Sequence, residues 1–134
     1  MTDQELLDLA FEMLNYSYVP YSGFPVGAAL LLEDGSVYTG CNIENAAYGS
    51  TICAERTALV KAVSEGHRND WVKLAVVGNS MDYCWPCGSC RQMLYEFCPD
   101  LEVLVTNGSR DYVKLPLREL LPHGFGPSAL EQKS

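Results

Sequence analysis

The stretch CAERTALVKAVSEGHRNDWVKLAVVG, residues 53–78, contains the two local patterns that decide the fold. In its first part, apolar residues recur at helical spacing between 58 and 63, and Gly66 is a typical helix stop. Its last part, VKLAVVG at 72–78, is a continuous apolar run of the kind found in strands that are buried on both faces. A helix followed directly by such a strand indicates a sheet with helices packed on its faces.

The segments on either side continue this alternation of helices and strands. Thr2 and Glu5 form the signature of a capping box, which predicts that a helix begins at about residue 3. The element order α-β-β-α-β-α-β-β-α predicts an α/β protein of one domain, residues 1–134, with a layered and at least partly parallel sheet. The predicted helices span about 3–14, 53–66, 88–97 and 116–121, and the predicted strands span 26–32, 37–43, 72–78, 101–106 and 112–115.

Charge and hydropathy restrict the partners of the protein. The chain has 9 Lys and Arg residues against 17 Asp and Glu residues, which gives a formal net charge of −8. Binding to nucleic acid or to an anionic membrane depends on clustered positive charge, so we expect neither partner. Residues 1–14 are acidic and amphipathic, without the basic and apolar regions of a signal peptide. No apolar run reaches the ~18 residues of a membrane span, and we expect a cytoplasmic protein that acts on a small molecule.

Three of the six cysteines lie where loops become predicted helices: Cys53 before one helix, and Cys87 and Cys90 at the start of the next. Helix N-termini favour thiolates, and in a cytoplasmic chain this spacing indicates metal binding rather than disulfides. Three thiolates leave one position of a tetrahedral zinc ion open to water, as in catalytic sites. Cys84 as a fourth ligand would instead give a closed structural site. The remaining two cysteines are predicted to be buried thiols.

Two residues beside Cys53 favour the catalytic kind of site. Glu55 lies on the first turn of the same predicted helix, within reach of a metal held by Cys53, where a carboxylate can move protons between water and a substrate. Arg56 can withdraw charge from the thiolates, which otherwise leave the zinc centre with a net negative charge. In isolation, a helix-capping glutamate and a surface arginine would also explain these residues.

Five ordered motifs extend the pattern over nearly the whole chain. They resemble those of the small, homotetrameric, zinc-dependent cytidine deaminases, whose fold is a three-layer α/β arrangement with a mixed five-stranded sheet flanked by helices. That resemblance implies hydrolysis of cytidine and deoxycytidine to uridine and deoxyuridine plus ammonia, by attack of zinc-bound hydroxide at C4, in pyrimidine salvage. The motifs are FPVGAAL (24–30), GCNIENAAYG (40–49), CAERTAL (53–59), PCGSCRQ (86–92) and ELLPHGFG (119–126).

The resemblance also implies a role for each matching residue. It implies one zinc ion per subunit on Cys53, Cys87 and Cys90, with Glu55 as the proton shuttle and Arg56 as the charge partner of the sulfurs. The implied substrate contacts are Phe24 packing on the pyrimidine, Asn42 and Glu44 holding the ribose, the Ala54 backbone N–H reaching the base, and Ala46, Tyr48 and Phe125 acting across subunit boundaries of a homotetramer.

One segment departs from the family pattern and leaves alternatives open. In NSMDYCWPCGSC (79–90), Cys84 and the bulky Trp85 stand just before Pro-Cys, where the family has small or polar residues. The alternatives are a deaminase of a related aminopyrimidine nucleoside antibiotic, a non-catalytic zinc-stabilised domain with Cys84 as fourth ligand, and a polynucleotide deaminase. The net charge of −8 argues against the last of these.

Overall fold

A five-stranded mixed sheet forms the centre of the protein, whose structure, a computed structural model, describes residues 1–131. The strand order across the sheet is β2-β1-β3-β4-β5. Only β3 and β4 run parallel, while the other neighbouring pairs are antiparallel. The predicted mixed sheet is therefore confirmed. The strands are β1 (Val26–Leu32), β2 (Val37–Cys41), β3 (Trp71–Gly78), β4 (Glu102–Thr106) and β5 (Tyr112–Pro116).

Five α-helices surround the sheet, and one of them was not predicted. The predicted capping box is confirmed, because the Thr2 hydroxyl accepts from the Glu5 backbone N–H and the Glu5 carboxylate accepts from the Thr2 backbone N–H. The first helix is shorter than predicted and continues as a 3₁₀ turn, Met13–Tyr16. The helices are α1 (Asp3–Glu12), α2 (Ala54–Ser64), α3 (Gly88–Phe97), α4 (Leu117–Leu120) and the unpredicted α5 (Pro127–Glu131).

Alternate residues of the strands face two separate cores, which makes the fold a three-layer structure. Ala28 and Leu30 of β1 belong to the core that α2 and α3 cover, whereas Ala29 between them belongs to the core that α1 covers. Strand side chains alternate between the two faces of a sheet, so an apolar run such as β1 supplies both cores. The same holds for β3, whose residues 74–78 are all buried, as predicted.

The second strand ends two residues earlier than predicted, because the following residues bond to other segments. The Asn42 side chain accepts from the Val26 backbone N–H and donates to the Phe24 carbonyl. Ile43 then pairs with Tyr18 on one side and Ile52 on the other, outside the sheet. The chain thus leaves the sheet edge at Cys41 and forms the loop that leads to α2.

A glycine in β2 brings the start of α2 close to the sheet. A Cβ atom at Gly40 would lie 2.3 Å from the Ala54 carbonyl oxygen and 2.7 Å from the Ala58 backbone nitrogen. Only a residue without a side chain allows this approach, which sets the position of the first turn of α2. In the described part of the chain, no helix has the length and apolar character needed to cross a bilayer.

Candidate active site

Three thiols meet where two helices begin. Cys53 is the N-cap of α2, Cys87 is the N-cap of α3, and Cys90 lies in the first turn of α3. The Sγ atom of Cys87 is 3.8 Å from that of Cys53 and 3.3 Å from that of Cys90, and all three sulfurs lie within 4.8 Å of one another. Tetrahedral zinc with Zn–S bonds of about 2.3 Å separates its sulfurs by roughly 3.8 Å, so the donor set fits zinc.

Hydrogen-bond donors surround these sulfurs. The Arg56 guanidinium donates to the Cys53 sulfur at 3.4 Å, and the Cys90 backbone N–H donates to the Cys87 sulfur at 3.4 Å. The hydrogen bond with the Cys90 thiol, followed by the contact with Arg56, lowers the pKa of Cys53 to about 5. Cys53 therefore favours thiolate, the form in which cysteine binds metals, whereas the hydrogen bond with Cys53 and burial raise the pKa of the Cys90 thiol.

Glu55 lies beside the thiols with its side chain almost out of contact with solvent. It is 4% exposed, on the first turn of α2. Burial, with a smaller contribution from the nearby Cys53, raises the pKa of its carboxyl group to about 7. A carboxyl group with a pKa near neutrality can both accept and release a proton, which is the property of a general acid–base.

Cys84 lies outside the group of metal-binding thiols. Within residues 1–131, the only cluster of three or more ligand-type side chains close enough to share a metal ion consists of Cys53, Cys87 and Cys90. Burial, with a smaller contribution from Glu55, raises the pKa of the Cys84 thiol to about 12. A neutral thiol outside the metal-binding group does not support the alternative of a closed four-cysteine site.

A cavity of about 210 Å³ opens next to the thiols. Phe24 and Trp85 supply its aromatic surface, and the buried Asn42 reaches it from the end of β2. Both polar ends of the Asn42 amide already bond to backbone groups, which holds this side chain in one orientation. The full lining is Phe24, Val26, Asn42, Thr51, Cys53, Ala54, Glu55, Cys84, Trp85 and Cys87.

A second cavity of about 380 Å³ lies beside the first, and Thr51 lines both. Glu44 and Tyr48 line the second cavity, so the structure puts Asn42 and Glu44 in adjacent cavities. The Glu44 carboxylate accepts from the backbone N–H groups of Tyr21 and Ser22 and from the Ser22 hydroxyl. The Ser22 hydroxyl bond is the largest cause that lowers the pKa of Glu44, which stays ionised.

Two residues expected at subunit boundaries line neither cavity. Ala46 is exposed in the loop after β2, and Phe125 is 58% exposed near the C-terminus. The sequence reasoning missed Thr51, which lines both cavities. Its position two residues before Cys53 was the available signal.

The residues that follow Cys90 brace the metal-binding loop. The Arg91 guanidinium donates to the Pro86 carbonyl at 2.7 Å and to the Leu120 carbonyl at 2.9 Å. The Gln92 side-chain amide donates to the Phe125 carbonyl at 2.6 Å. Helix α3 and its N-cap thus supply two of the thiols, and α3 also holds the C-terminal segment through hydrogen bonds.

Relatives identified by sequence match this chain over most of their length. The family described as the cytidine and deoxycytidylate deaminase zinc-binding region matches residues 1–106. A cytidine deaminase of Halalkalibacterium halodurans is 52% identical over 126 residues, covering 93% of this chain and 95% of the relative. A probable cytidine deaminase of Dictyostelium discoideum is 42% identical over 138 residues, covering 100% of this chain and 92% of the relative.

Solved structures agree with the sequence relatives. A cytidine deaminase from Burkholderia pseudomallei superposes with a TM-score of 0.90 at 45% identity, covering 93% of this chain and 100% of the other. A cytidine deaminase from Mycobacterium tuberculosis superposes with a TM-score of 0.80 at 39% identity, covering 94% and 99%. These structures confirm the expected three-layer fold, and the zinc-binding family together with the group of three thiols confirms the zinc cofactor. The chain belongs to the zinc-dependent cytidine and deoxycytidylate deaminase family.

Proposed function

We propose that this protein converts cytidine and deoxycytidine to uridine and deoxyuridine, with release of ammonia. The observation that carries the proposal is a buried carboxylate, Glu55, beside three thiols that fit zinc, at the wall of a cavity. The sequence relatives named cytidine deaminase support this choice of substrate. We further propose a role in pyrimidine salvage in the cytoplasm, where thiols such as the six free cysteines stay reduced.

In this mechanism the residues of the chain bind the base and move protons. When bound, zinc supplies Lewis acidity, which makes water more acidic. Glu55 takes a proton from the water whose oxygen adds to C4 of the cytosine. Glu55 delivers this proton to N3, and it then moves the second water proton from the oxygen on C4 to the departing amine. The C4–N bond breaks, and cytidine and water have become uridine and ammonia. Arg56, bonded to the Cys53 sulfur, offsets the negative charge of the thiolates.

We propose that the two adjacent cavities divide the nucleoside between them. Phe24 and the Ala54 backbone N–H would contact the base in the first cavity, whose lining includes both residues. The sugar would lie near Thr51, which lines both cavities. Its hydroxyls would bind Asn42 in the first cavity and the ionised Glu44 in the second. A carboxylate and an amide are suitable partners for hydroxyl groups.

We propose that the protein is a homotetramer in which neighbouring subunits complete each pocket. Tyr18, Ile43 and Ile52 support this, because they lie side by side on three paired segments with 57%, 44% and 39% of their surfaces exposed. Exposed apolar patches of this kind mark association surfaces. Ala46, Tyr48 and Phe125 would then contribute to a pocket of a neighbouring copy.

The test is the ultraviolet absorbance of cytidine incubated with purified protein whose zinc content has been measured. We expect conversion to uridine by the wild type, and a loss of roughly 10²–10⁴-fold in turnover for Glu55→Gln with zinc retained. Zinc-loaded wild type that leaves cytidine unchanged would reject the proposal. Much faster turnover of an aminopyrimidine nucleoside antibiotic than of cytidine would favour that alternative substrate.

A further inference from the structure

Trp85 lines the cavity but takes no part in the metal site or the proton shuttle. Phe24 and Trp85 are the aromatic members of the cavity lining, and they are 40% and 47% exposed. A tryptophan presents a large apolar surface together with one N–H donor. In the part of the chain that the structure describes, the hydrogen bonds of the protein do not engage the Trp85 indole N–H, so it is free to meet a ligand or water.

The backbone on both sides of Trp85 is fixed, which gives the indole a defined place. The Cys84 backbone N–H donates to the Thr106 carbonyl at 3.0 Å, which attaches this loop to the end of β4. On the other side, the buried Pro86 carbonyl accepts from the Arg91 guanidinium at 2.7 Å. The Tyr83 ring packs near the indole, with 6.2 Å between the ring centroids.

We infer that Trp85 is a substrate-binding wall of the cavity, which packs with Phe24 against the pyrimidine ring and so sets the affinity for the substrate. The inference rests on the proposed function, because it places a pyrimidine in this cavity. Aromatic side chains bind nucleobases through their flat apolar surfaces. This contact is made with the face of the ring and is separate from the chemical step. Trp85 therefore governs substrate affinity, while Glu55 and the thiols govern the chemical step.

The first experiment compares Trp85→Ser with Trp85→Phe and the wild type on cytidine and on deoxycytidine. We expect Trp85→Ser to raise KM about tenfold for both nucleosides, because the contact is with the base and not the sugar. The value of kcat and the zinc content stay within about twofold of the wild type. Trp85→Phe keeps an aromatic surface and restores most of the affinity.

The second experiment uses the fluorescence of the protein, which has two tryptophans. Trp71 is 5% exposed and packs on Phe97 at the start of β3. Gly78, at the other end of this strand, lies against Cys84 and Phe24 of the cavity, roughly 23 Å from Trp71 at the rise of a strand. Titration with uridine, the product, should therefore change the emission of the wild type and leave that of Trp85→Phe unchanged.

The outcomes separate this inference from the proposed function. Wild type that turns over cytidine, together with an unchanged KM in Trp85→Ser, overturns the inference alone. So does a KM increase for only one of the two nucleosides, since that result indicates a sugar contact. An altered sedimentation coefficient with unchanged KM would make Trp85 an association residue instead. Zinc-loaded wild type without activity rejects the proposed function, and the inference with it.

Discussion

Cys53 joins the two halves of the site, since it starts α2 while its metal-binding partners start α3. It receives a hydrogen bond from Arg56 and lies 3.8 Å from the Cys87 sulfur. Cys53 also immediately precedes the helical turn that carries Glu55. One of the three thiols and the proton shuttle are therefore placed by the same three residues of sequence, whereas the other two thiols depend on how α3 packs beside α2.

We expect Cys53→Ala to lose both zinc and turnover, because two thiols do not hold zinc as three do. Metal analysis after dialysis, together with the cytidine assay, measures both losses. Cys98→Ala is the matched control, since the Cys98 thiol lies near the Trp71 carbonyl and outside the metal-binding group. Full zinc occupancy in Cys53→Ala would mean that the ligands are other residues.

The spacing of the cysteines indicated Cys53, Cys87 and Cys90 as a metal-binding group but left Cys84 open as a fourth member, which the structure does not include. Loops that end at helix N-termini bring thiols together through local geometry, which a sequence displays. The separation of Asn42 from Glu44 was not predictable in this way. It depends on Ile43 pairing with Tyr18 and Ile52, which are contacts between distant segments. Their joint binding of the sugar stays a prediction.

The position of α2 depends on a contact between backbones, at Gly40 of β2. A methyl group there would approach the Ala54 carbonyl oxygen to 2.3 Å, so the helix must move away from the sheet. We expect Gly40→Ala to lower the free energy of unfolding by about 1–3 kcal/mol, which is the usual cost of overpacking. Urea denaturation of the two proteins measures the difference.

Gly49→Ala is the control for this prediction, because a Cβ atom at Gly49 meets nothing within 4 Å. Its free energy of unfolding should stay close to that of the wild type. Equal stability of Gly40→Ala and Gly49→Ala would show that the first turn of α2 adjusts without cost. In that case the close approach would not determine the position of the helix.

Among the elements, those with strong periodicity were predicted to the residue, as for β1 and α3. The short helix α5 was missed because five residues, Pro127–Glu131, display little more than one turn of pattern. The early end of β2 was missed because the Asn42 side chain forms hydrogen bonds with the backbone of Val26 and Phe24. The periodicity of a sequence does not reveal such bonds. The two errors thus have different causes, a pattern too short to recognise for α5 and contacts with another segment for β2.

At the scale of the whole molecule, the exposed residues Tyr18, Ile43 and Ile52 bear on assembly. We expect sedimentation to give about four times the chain mass of 14.8 kDa. Ile43→Glu should shift the protein toward smaller species and lower its activity, because it places a charge on the apolar patch. Val72→Glu, at a residue that is 39% exposed on β3, is the control. A fully active wild-type monomer would contradict this prediction.

Net charge and composition argued against nucleic-acid and membrane partners and did not bear on the assembly. An acidic chain of this size fits a small-molecule enzyme, and the family relationship agrees. The tetramer came from resemblance alone, since no periodicity of a single chain encodes its neighbours. That the chain is one domain also stays a prediction.

The meeting of Cys53 with Cys87 has a consequence for the folding of the chain. These residues are 34 positions apart, and the central strand β3 lies between them in the sequence. A metal ion bound to both closes a loop, as a disulfide does, and so restricts the unfolded chain. By the loop-entropy relation for cross-links this constraint amounts to about 4 kcal/mol. In the proposed function, the ion required for catalysis would thus also stabilise the fold as a disulfide does, in a setting where cysteine pairs stay reduced.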